Sequence, residues 1–132
     1  MKKLIFSILA ILFVGLTVNA QTTTIKVLYF KAELSCCMAA ACNTMQTDIA
    51  NIVSEKFDDN VQYELVSIAN EANSQLVSKY NAISQTVVLE KYQNNVLVEF
   101  TDITRTVKQY AFDKNKEKFT EALQKEVDNL LK

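Results

Sequence analysis

Two neighbouring stretches decide the fold: IKVLYF at residues 25–30 and SCCMAAAC at residues 35–42. The first is short and rich in β-branched and aromatic residues, which is typical of a strand. The second contains all three cysteines of the chain. After it, apolar residues recur at helical spacing: Met45, Ile49, Ile52 and Val53. The sequence therefore predicts a strand that leads into a helix, with the cysteines at the start of that helix.

The cysteines Cys36, Cys37 and Cys42 form the candidate chemical site. Unpaired amides and the helix dipole stabilise an anion at a helix N-terminus, so this position favours the thiolate, the form that attacks disulfides and binds metals. In a regular helix the Cα atoms of Cys37 and Cys42 lie about 8 Å apart, beyond the reach of a disulfide. A bridge between adjacent Cys36 and Cys37 strains the peptide between them. We expect oxidation to join Cys42 to Cys36 or Cys37 through an irregular segment, leaving one thiol free.

The N-terminus has the three parts of a secretory signal peptide. Two lysines precede an apolar run over residues 4–18, and Val18-Asn19-Ala20 supplies a small-residue cleavage site. The run is shorter than the roughly 20 residues of a membrane-spanning helix, although an uncleaved N-terminal anchor is the alternative. We expect residues 1–20 to be removed and residues 21–132 to form one domain, without membrane contact, in a bacterial periplasm or outside the cell. Thiols can be oxidised there.

The composition excludes several functions. Without the two lysines of the signal peptide, 12 basic and 15 acidic residues remain, a net charge of −3. This acidic excess makes nucleic acid and anionic membranes poor partners. The chain has no histidine, which removes a Cys-His nucleophile, histidine metal sites and an imidazole proton shuttle. We expect a monomer with one core.

The rest of the chain alternates between predicted strands and helices. Further strands are expected at residues 61–68, 86–89 and 96–100, with a hairpin turn at residues 93–95. A helix capped by Asn73 should run through Tyr80, and residues 101–112 should form a short helical connection. Residues 114–132 should form a helix with one apolar face: Phe119, Ala122, Leu123, Val127, Leu130 and Leu131.

The element order is β-α-β-α-β-β-α, which predicts an α/β fold with a central mixed sheet flanked by helices. Crossovers through helices favour parallel strands, so we expect the first three strands to be parallel and the last pair to be antiparallel. The strand at residues 61–68 is expected at an edge of the sheet. The strand at residues 25–30 is expected beside residues 86–89.

This order is that of the thioredoxin fold, and the chain resembles thioredoxin-like proteins. Residues 27–30 lead to cysteines at a helix start, residues 70–82 resemble the segment before the third strand, and residues 86–95 resemble that strand and its hairpin. The chain also resembles the ArsF family, small proteins described as nitrophenyl compound nitroreductase subunits. The shared residues are Tyr29-Phe30, Cys36 and Cys42-Asn43-Thr44. The resemblance implies a thioredoxin-like fold with a thiol site.

Two departures from the thioredoxin pattern bear on function. The chain has CCxxxxC at residues 36–42 where thioredoxin-like enzymes have CxxC, so a dithiol would pair across a longer loop. It has Gln85, just before Thr86, at the position of the thioredoxin cis-proline. The resemblance implies that this proline faces the cysteines of redox enzymes and hinders metal binding by them. A cis bond before a residue other than proline costs about 2.5–4 kcal/mol, so we expect a trans bond and a more open face at Gln85.

Three functions remain, in order of preference. The first is thiol-disulfide exchange without a cofactor, in which Cys36 or Cys37 attacks a disulfide of an unknown redox partner and Cys42 completes the reaction. The second is binding or carriage of Cu(I), Hg(II) or As(III) by up to three thiolates, in exchange with metal-handling proteins, because sulfur-only sites select soft ions. The third is a non-catalytic interaction domain whose cysteines form a structural disulfide.

Four residues close to the cysteines are expected to have structural roles. Met38 and Met45 could be soft ligands, but packing is the preferred interpretation of both. Lys31 and Glu33 could tune the thiols, but a solvated rim of the loop is preferred.

Overall fold

The computed structural model describes residues 22–33 and 37–132, and for residues 37–42 it describes the helical backbone alone. The predicted signal peptide at residues 1–20 and Cys36 lie outside the described residues.

Four strands form one sheet in the order β2-β1-β3-β4. The strands are β1 (Thr23–Lys31), β2 (Val61–Ser67), β3 (Val87–Gln93) and β4 (Val96–Asp102). β1 pairs with β2 in parallel and with β3 in antiparallel, and β3 pairs with β4 in antiparallel. The prediction of β2 at an edge and of β1 beside β3 is confirmed. This order and these directions are those of a thioredoxin-like fold.

The prediction that the second crossover joins parallel strands is wrong. The segment between β2 and β3 begins and ends at the same end of the sheet, because its backbone is tied at both ends to the last residues of β1. The N–H of Ile68 donates to the carbonyl of Lys31 at 2.9 Å, and the N–H of Gln85 donates to the carbonyl of Phe30 at 2.8 Å. β3 therefore starts where β1 ends and runs in the opposite direction.

Within the described ranges, four α-helices accompany the sheet: α1 (Cys37–Lys56), α2 (Ser74–Lys79), α3 (Thr104–Asp113) and α4 (Lys116–Leu131). A 3₁₀ turn (Glu71–Asn73) precedes α2. The predicted helical connection at residues 101–112 is thus confirmed as α3. None of the helices in the described ranges is both long and apolar enough to cross a membrane.

The main core lies between one face of the sheet and the helices α1, α3 and α4. Alternate residues of β1 point into it, namely Ile25, Val27 and Tyr29. The apolar stripe predicted on α1 is confirmed by the full burial of Met45, Ile49, Ile52 and Val53. On α4, Phe119, Leu123, Val127 and Leu130 are buried as predicted. Leu131 is 40% exposed, so its predicted place on the buried face is wrong, because α4 ends there.

The opposite face of the sheet carries a smaller core, which contains Leu28, Phe30, Val66, Ala82 and Val88. α2 and its flanking turns pack on this face through partly buried side chains. One face of the sheet is therefore covered by three helices, and the other by α2 and its flanking turns alone among the described residues.

Asparagines close several of the turns. Asn94 and Asn95 have φ angles of 51° and 66°, a left-handed pair that is typical of a type I′ turn, so the predicted hairpin is confirmed. The predicted N-cap at Asn73 is wrong, since its side chain makes no capping bond. Asn70 caps the preceding 3₁₀ turn instead, accepting from the N–H of Ala72 at 3.0 Å, while the Asn73 amide donates to the carbonyl of Ser67 at 2.9 Å.

Candidate thiol site

The cysteine segment joins the end of the central strand to the longest helix. β1 ends at Lys31 and α1 begins at Cys37, with Cys42 in its second turn. The first turn of α1 has no acidic residue. A thiolate at Cys37 would therefore lie at the positive end of the helix dipole without a like charge in the same turn. The side chains of Cys37 and Cys42, and the whole of Cys36, lie outside the described part of the chain.

The helical backbone restricts which cysteines can pair. Cys37 and Cys42 belong to one continuous helix, in which residues five positions apart have Cα atoms separated by about 8 Å. Disulfides span Cα distances of about 4.4–6.8 Å. A bridge between these two residues would therefore require the first turns of α1 to unwind.

Cys42 is followed along α1 by two buried residues at helical spacing. It precedes Met45 by three residues and Ile49 by seven, and both of those side chains are buried. Met45 is 3% exposed, which confirms that it packs in the core. The side chain of Met38 lies outside the described atoms. One turn after Cys42, the amide oxygen of Gln46 is buried and has no hydrogen-bond partner among the described residues.

A tyrosine on α3 fixes the middle of α1. The hydroxyl of Tyr110 donates to Oδ2 of Asp48 at 2.8 Å, and its ring stacks on Phe119 with centroids 4.8 Å apart. Burial, together with this hydrogen bond and the charge of Asp48, raises the pKa of Tyr110 to about 12. This contact was not predicted, because the sequence gives no sign that α3 crosses α1 at these two residues.

Gln85 lies in a tight loop beside the end of β1. No cis peptide bond occurs among the described residues, so the expected trans bond before Gln85 is confirmed. Its φ angle is 67°, and its N–H donates to the carbonyl of Phe30 at 2.8 Å. The N–H of Phe30 in turn donates to the carbonyl of Thr86 at 2.9 Å. A proline at position 85 would lose the first hydrogen bond and could not adopt a positive φ.

The remaining residues near this end of the sheet form a mixed surface. Glu33 is exposed, as predicted for a solvated rim, whereas Lys31 is the last residue of β1 and is partly buried. Ile83, in the loop that leads to Gln85, is 61% exposed. Within residues 22–33 and 37–132, no group of three potential metal-binding side chains comes together among the described side chains, which do not include those of the cysteines.

A buried carboxylate lies on the α2 face of the sheet, and the sequence analysis missed it. Glu90, on β3, is 2% exposed and accepts hydrogen bonds from Lys79, Tyr80 and Tyr92. The predicted third strand stopped at Leu89, just before this residue. The signal in the sequence was that Glu90 directly follows an apolar run, residues 87–89, that was predicted to be a strand.

No protein-family profile and no curated protein matches the chain. Two solved structures are similar to it. One, of a malarial protein, is 20% identical with a TM-score of 0.40 and covers 69% of this chain and 96% of its own. The other, of thioredoxin-2, a component of the malaria parasite protein secretion machinery, is 20% identical with a TM-score of 0.39 and covers 61% of this chain and 70% of its own. The assignment of a thioredoxin-like fold rests on the order and directions of the strands.

Proposed function

We propose that the protein is an exported, thioredoxin-like protein of the ArsF type that exchanges thiols and disulfides through its cysteines. The observation that carries this proposal is that a 20-residue helix begins at Cys37, six residues after β1 ends at Lys31. A helix N-terminus stabilises a thiolate, which is the attacking species in exchange.

The reaction has two steps. The thiolate of Cys36 or Cys37 attacks one sulfur of a partner disulfide, so a mixed disulfide forms and the other partner sulfur leaves as a thiolate that takes up a proton. Cys42 then loses its proton and attacks the mixed disulfide, releasing the second partner thiol. The protein is oxidised by two electrons and the partner disulfide is reduced to two thiols. Because the backbone of α1 is helical from Cys37, a second step that joins Cys37 to Cys42 must unwind the start of the helix.

A second candidate function is the binding of Cu(I), Hg(II) or As(III) by two or three thiolates. The observation that favours it is the loop at Gln85, which has no proline ring and a trans peptide bond. A soft ion would displace protons from the thiols, so its affinity should rise with pH.

The two functions are separated by measuring both on one set of variants. The reduced wild type and the variants Cys36→Ser, Cys37→Ser, Cys42→Ser and Cys36→Ser/Cys37→Ser are mixed with a small disulfide. Turnover is followed by the release of the small thiol, and adducts are counted by intact mass spectrometry. If exchange is the function, Cys42→Ser accumulates a mixed disulfide and the double variant does not. In parallel, each ion is titrated into the same proteins, with dithiothreitol as a reference dithiol.

The outcomes are distinct. Turnover by the wild type that disappears in the double variant, with ion affinities no better than those of dithiothreitol, supports exchange. Tight binding of one ion without turnover supports the carrier instead. Equal disulfide reactivity in all the variants, together with ion affinities no better than those of dithiothreitol, would overturn both proposals and leave a structural role for the cysteines.

A further inference from the structure

One segment covers the α2 face of the sheet among the described residues, and we call residues 70–82 the strap. It contains the 3₁₀ turn and α2, neither of which has a fully buried residue. Leu76, Val77 and Tyr80 pack only partly buried against the smaller core. By contrast, α4 buries four apolar side chains on the other face. Ala82 is the one buried apolar residue of the strap, at 7% exposure, and its side chain is small, so the strap is attached with little apolar burial.

Both ends of the strap are fastened at one place. Just before it, the N–H of Ile68 donates to the carbonyl of Lys31 at 2.9 Å. Just after it, Gln85 and Thr86 exchange backbone hydrogen bonds with Phe30 at 2.8 and 2.9 Å. Since Phe30 and Lys31 are consecutive residues at the end of β1, the strap has the geometry of a flap whose two ends share one hinge.

The free part of the flap is held by the buried carboxylate of Glu90. Nζ of Lys79 donates to Oε1 of Glu90 at 3.1 Å, and the hydroxyl of Tyr80 donates to the same oxygen. Both donors are at the C-terminal end of α2. The third donor, the hydroxyl of Tyr92, bonds Oε2 at 2.8 Å from the strand of Glu90 itself. Two of the three hydrogen bonds therefore join the strap to the sheet.

The other charged groups near Glu90 are on the neighbouring strands. Lys26, opposite Glu90 on β1, forms an ion pair with Glu64 of β2 at 3.2 Å and lies 5.4 Å above the ring of Tyr92. On β4 the opposite residue is Phe100, which contacts the ring of Tyr80 edge-on with centroids 5.1 Å apart. Lys79 and Lys26 are thus the cations beside the carboxylate, and Lys79 is the one that bonds it.

We propose that the strap opens as a unit about its shared hinge, and that the ionised carboxylate of Glu90 is the group that keeps it closed. Opening separates Lys79 and Tyr80 from Glu90 and uncovers the small core around Leu28 and Val88. The proposal stands on this face of the sheet and does not depend on thiol exchange.

The direction of the pH dependence follows from the environment of Glu90. Burial acts to raise its pKa, but the hydrogen bonds from Tyr80, Tyr92 and Lys79 and the charge of Lys79 lower it by more, so the pKa lies below its ordinary value. A carboxylate with a lowered pKa contributes its full stability above the unfolded value of about 4.3 and loses it as the pH falls through the folded value. Acid therefore favours the open strap.

Amide hydrogen exchange measured by mass spectrometry on the full chain tests the proposal. The test variant is Tyr80→Phe, which removes a strap donor and keeps the ring. The matched control is Tyr92→Phe, which removes the donor on the sheet. Because a hydrogen bond to a charged group stabilises by about a factor of ten or more, exchange at residues 70–82 should accelerate about tenfold in Tyr80→Phe. It should change less than about twofold in Tyr92→Phe, and exchange in α1 and α4 should change less than twofold in both variants.

A second variant provides the pH measurement. In the wild type, protection of the strap relative to intrinsic exchange should be constant from pH 6 to about pH 5 and should fall as the pH drops below about 4.3. In Glu90→Gln it should be low and independent of pH between about pH 6 and pH 3. Equal acceleration in the strap and in α4 would show that the strap does not open as a unit. Equal effects of Tyr80→Phe and Tyr92→Phe, or unchanged strap exchange in Glu90→Gln, would show that Glu90 does not hold it closed.

Discussion

Two buried tyrosine hydroxyls give opposite predictions for the same substitution. The hydroxyl of Tyr110 donates to Asp48 at 2.8 Å, whereas the hydroxyl of Tyr63 is buried without a partner among the described residues. Tyr110→Phe removes a hydrogen bond to a carboxylate and keeps the stacking on Phe119. Tyr63→Phe removes only the buried hydroxyl, which makes no hydrogen bond to the described residues that would offset the cost of its burial. We expect the first substitution to destabilise the protein and the second not to.

The magnitudes follow from these environments. A hydrogen bond to a charged group contributes about 1.5–3 kcal/mol, and the lower end applies here because Asp48 is only partly buried and water can replace the lost donor. Tyr110→Phe should thus lower the free energy of unfolding by about 1.5 kcal/mol, or Tm by roughly 5–10 °C in a domain of this size. Tyr63→Phe should be neutral or stabilise by up to about 1 kcal/mol, because an unsatisfied buried hydroxyl is itself costly.

The assay is urea denaturation of the wild type, both single variants and a double-mutant cycle with Asp48→Asn. The cycle should give a coupling energy of about 1 kcal/mol or more between Tyr110 and Asp48. Since the pKa of Tyr110 is raised to about 12, its contribution is complete below the unfolded value of about 10 and is lost as the pH rises from 10 to 12. The wild type should lose its advantage over Tyr110→Phe across that range. Equal stability of the two Phe variants at pH 7, or a coupling energy of zero, would refute the reasoning.

Three further outcomes are expected. Asn95→Gly should stabilise the hairpin by up to about 1 kcal/mol in thermal unfolding, because Asn95 has a φ angle of 66° that glycine adopts without strain, and a loss of stability would contradict this. Ile49→Ala should lower the free energy of unfolding by about 2–5 kcal/mol, because Ile49 is fully buried. Leu65→Ala, at a residue that is 43% exposed, should lower it far less, and similar losses for the two variants in denaturant would contradict this. Mass spectrometry of the exported protein should find Gln21 as its first residue, and an intact Met1 in the membrane fraction would exclude cleavage.

The sheet was predictable because its strands follow a simple period. The alternation in β1 and the helical spacing in α1 both indicate which residues face the main core. The predictions of the element order and of the two neighbours of β1 were therefore correct. The direction of β3 was not predictable in this way. It depends on where the strap is tied, and that is decided by backbone bonds between Phe30 and Gln85, 55 positions apart in the sequence.

The features that the sequence did not predict are hydrogen bonds of polar side chains, which depend on the tertiary structure. The predicted third strand ends before Glu90, because a carboxylate is rarely buried, and the donors Lys79, Tyr80 and Tyr92 make its burial tolerable. The cap at Asn70 was missed because Asn70 and Asn73 are equally good capping residues, and the choice depends on which side chain reaches Ser67. The start of α1 at Cys37 was predictable, because apolar spacing after the cysteines defines the helix.

The central position of β1 has a consequence for synthesis of the chain. β1, the first strand among the described residues, pairs on both sides, and its second partner, β3, ends at Gln93, 62 residues after β1 ends at Lys31. At a translation rate of about 5–20 residues per second, β1 waits roughly 3–12 s before its last neighbour has been made. During this interval its apolar residues are not yet covered on both sides, so the nascent chain is prone to aggregation, and open to chaperones, through a segment that later lies inside the sheet.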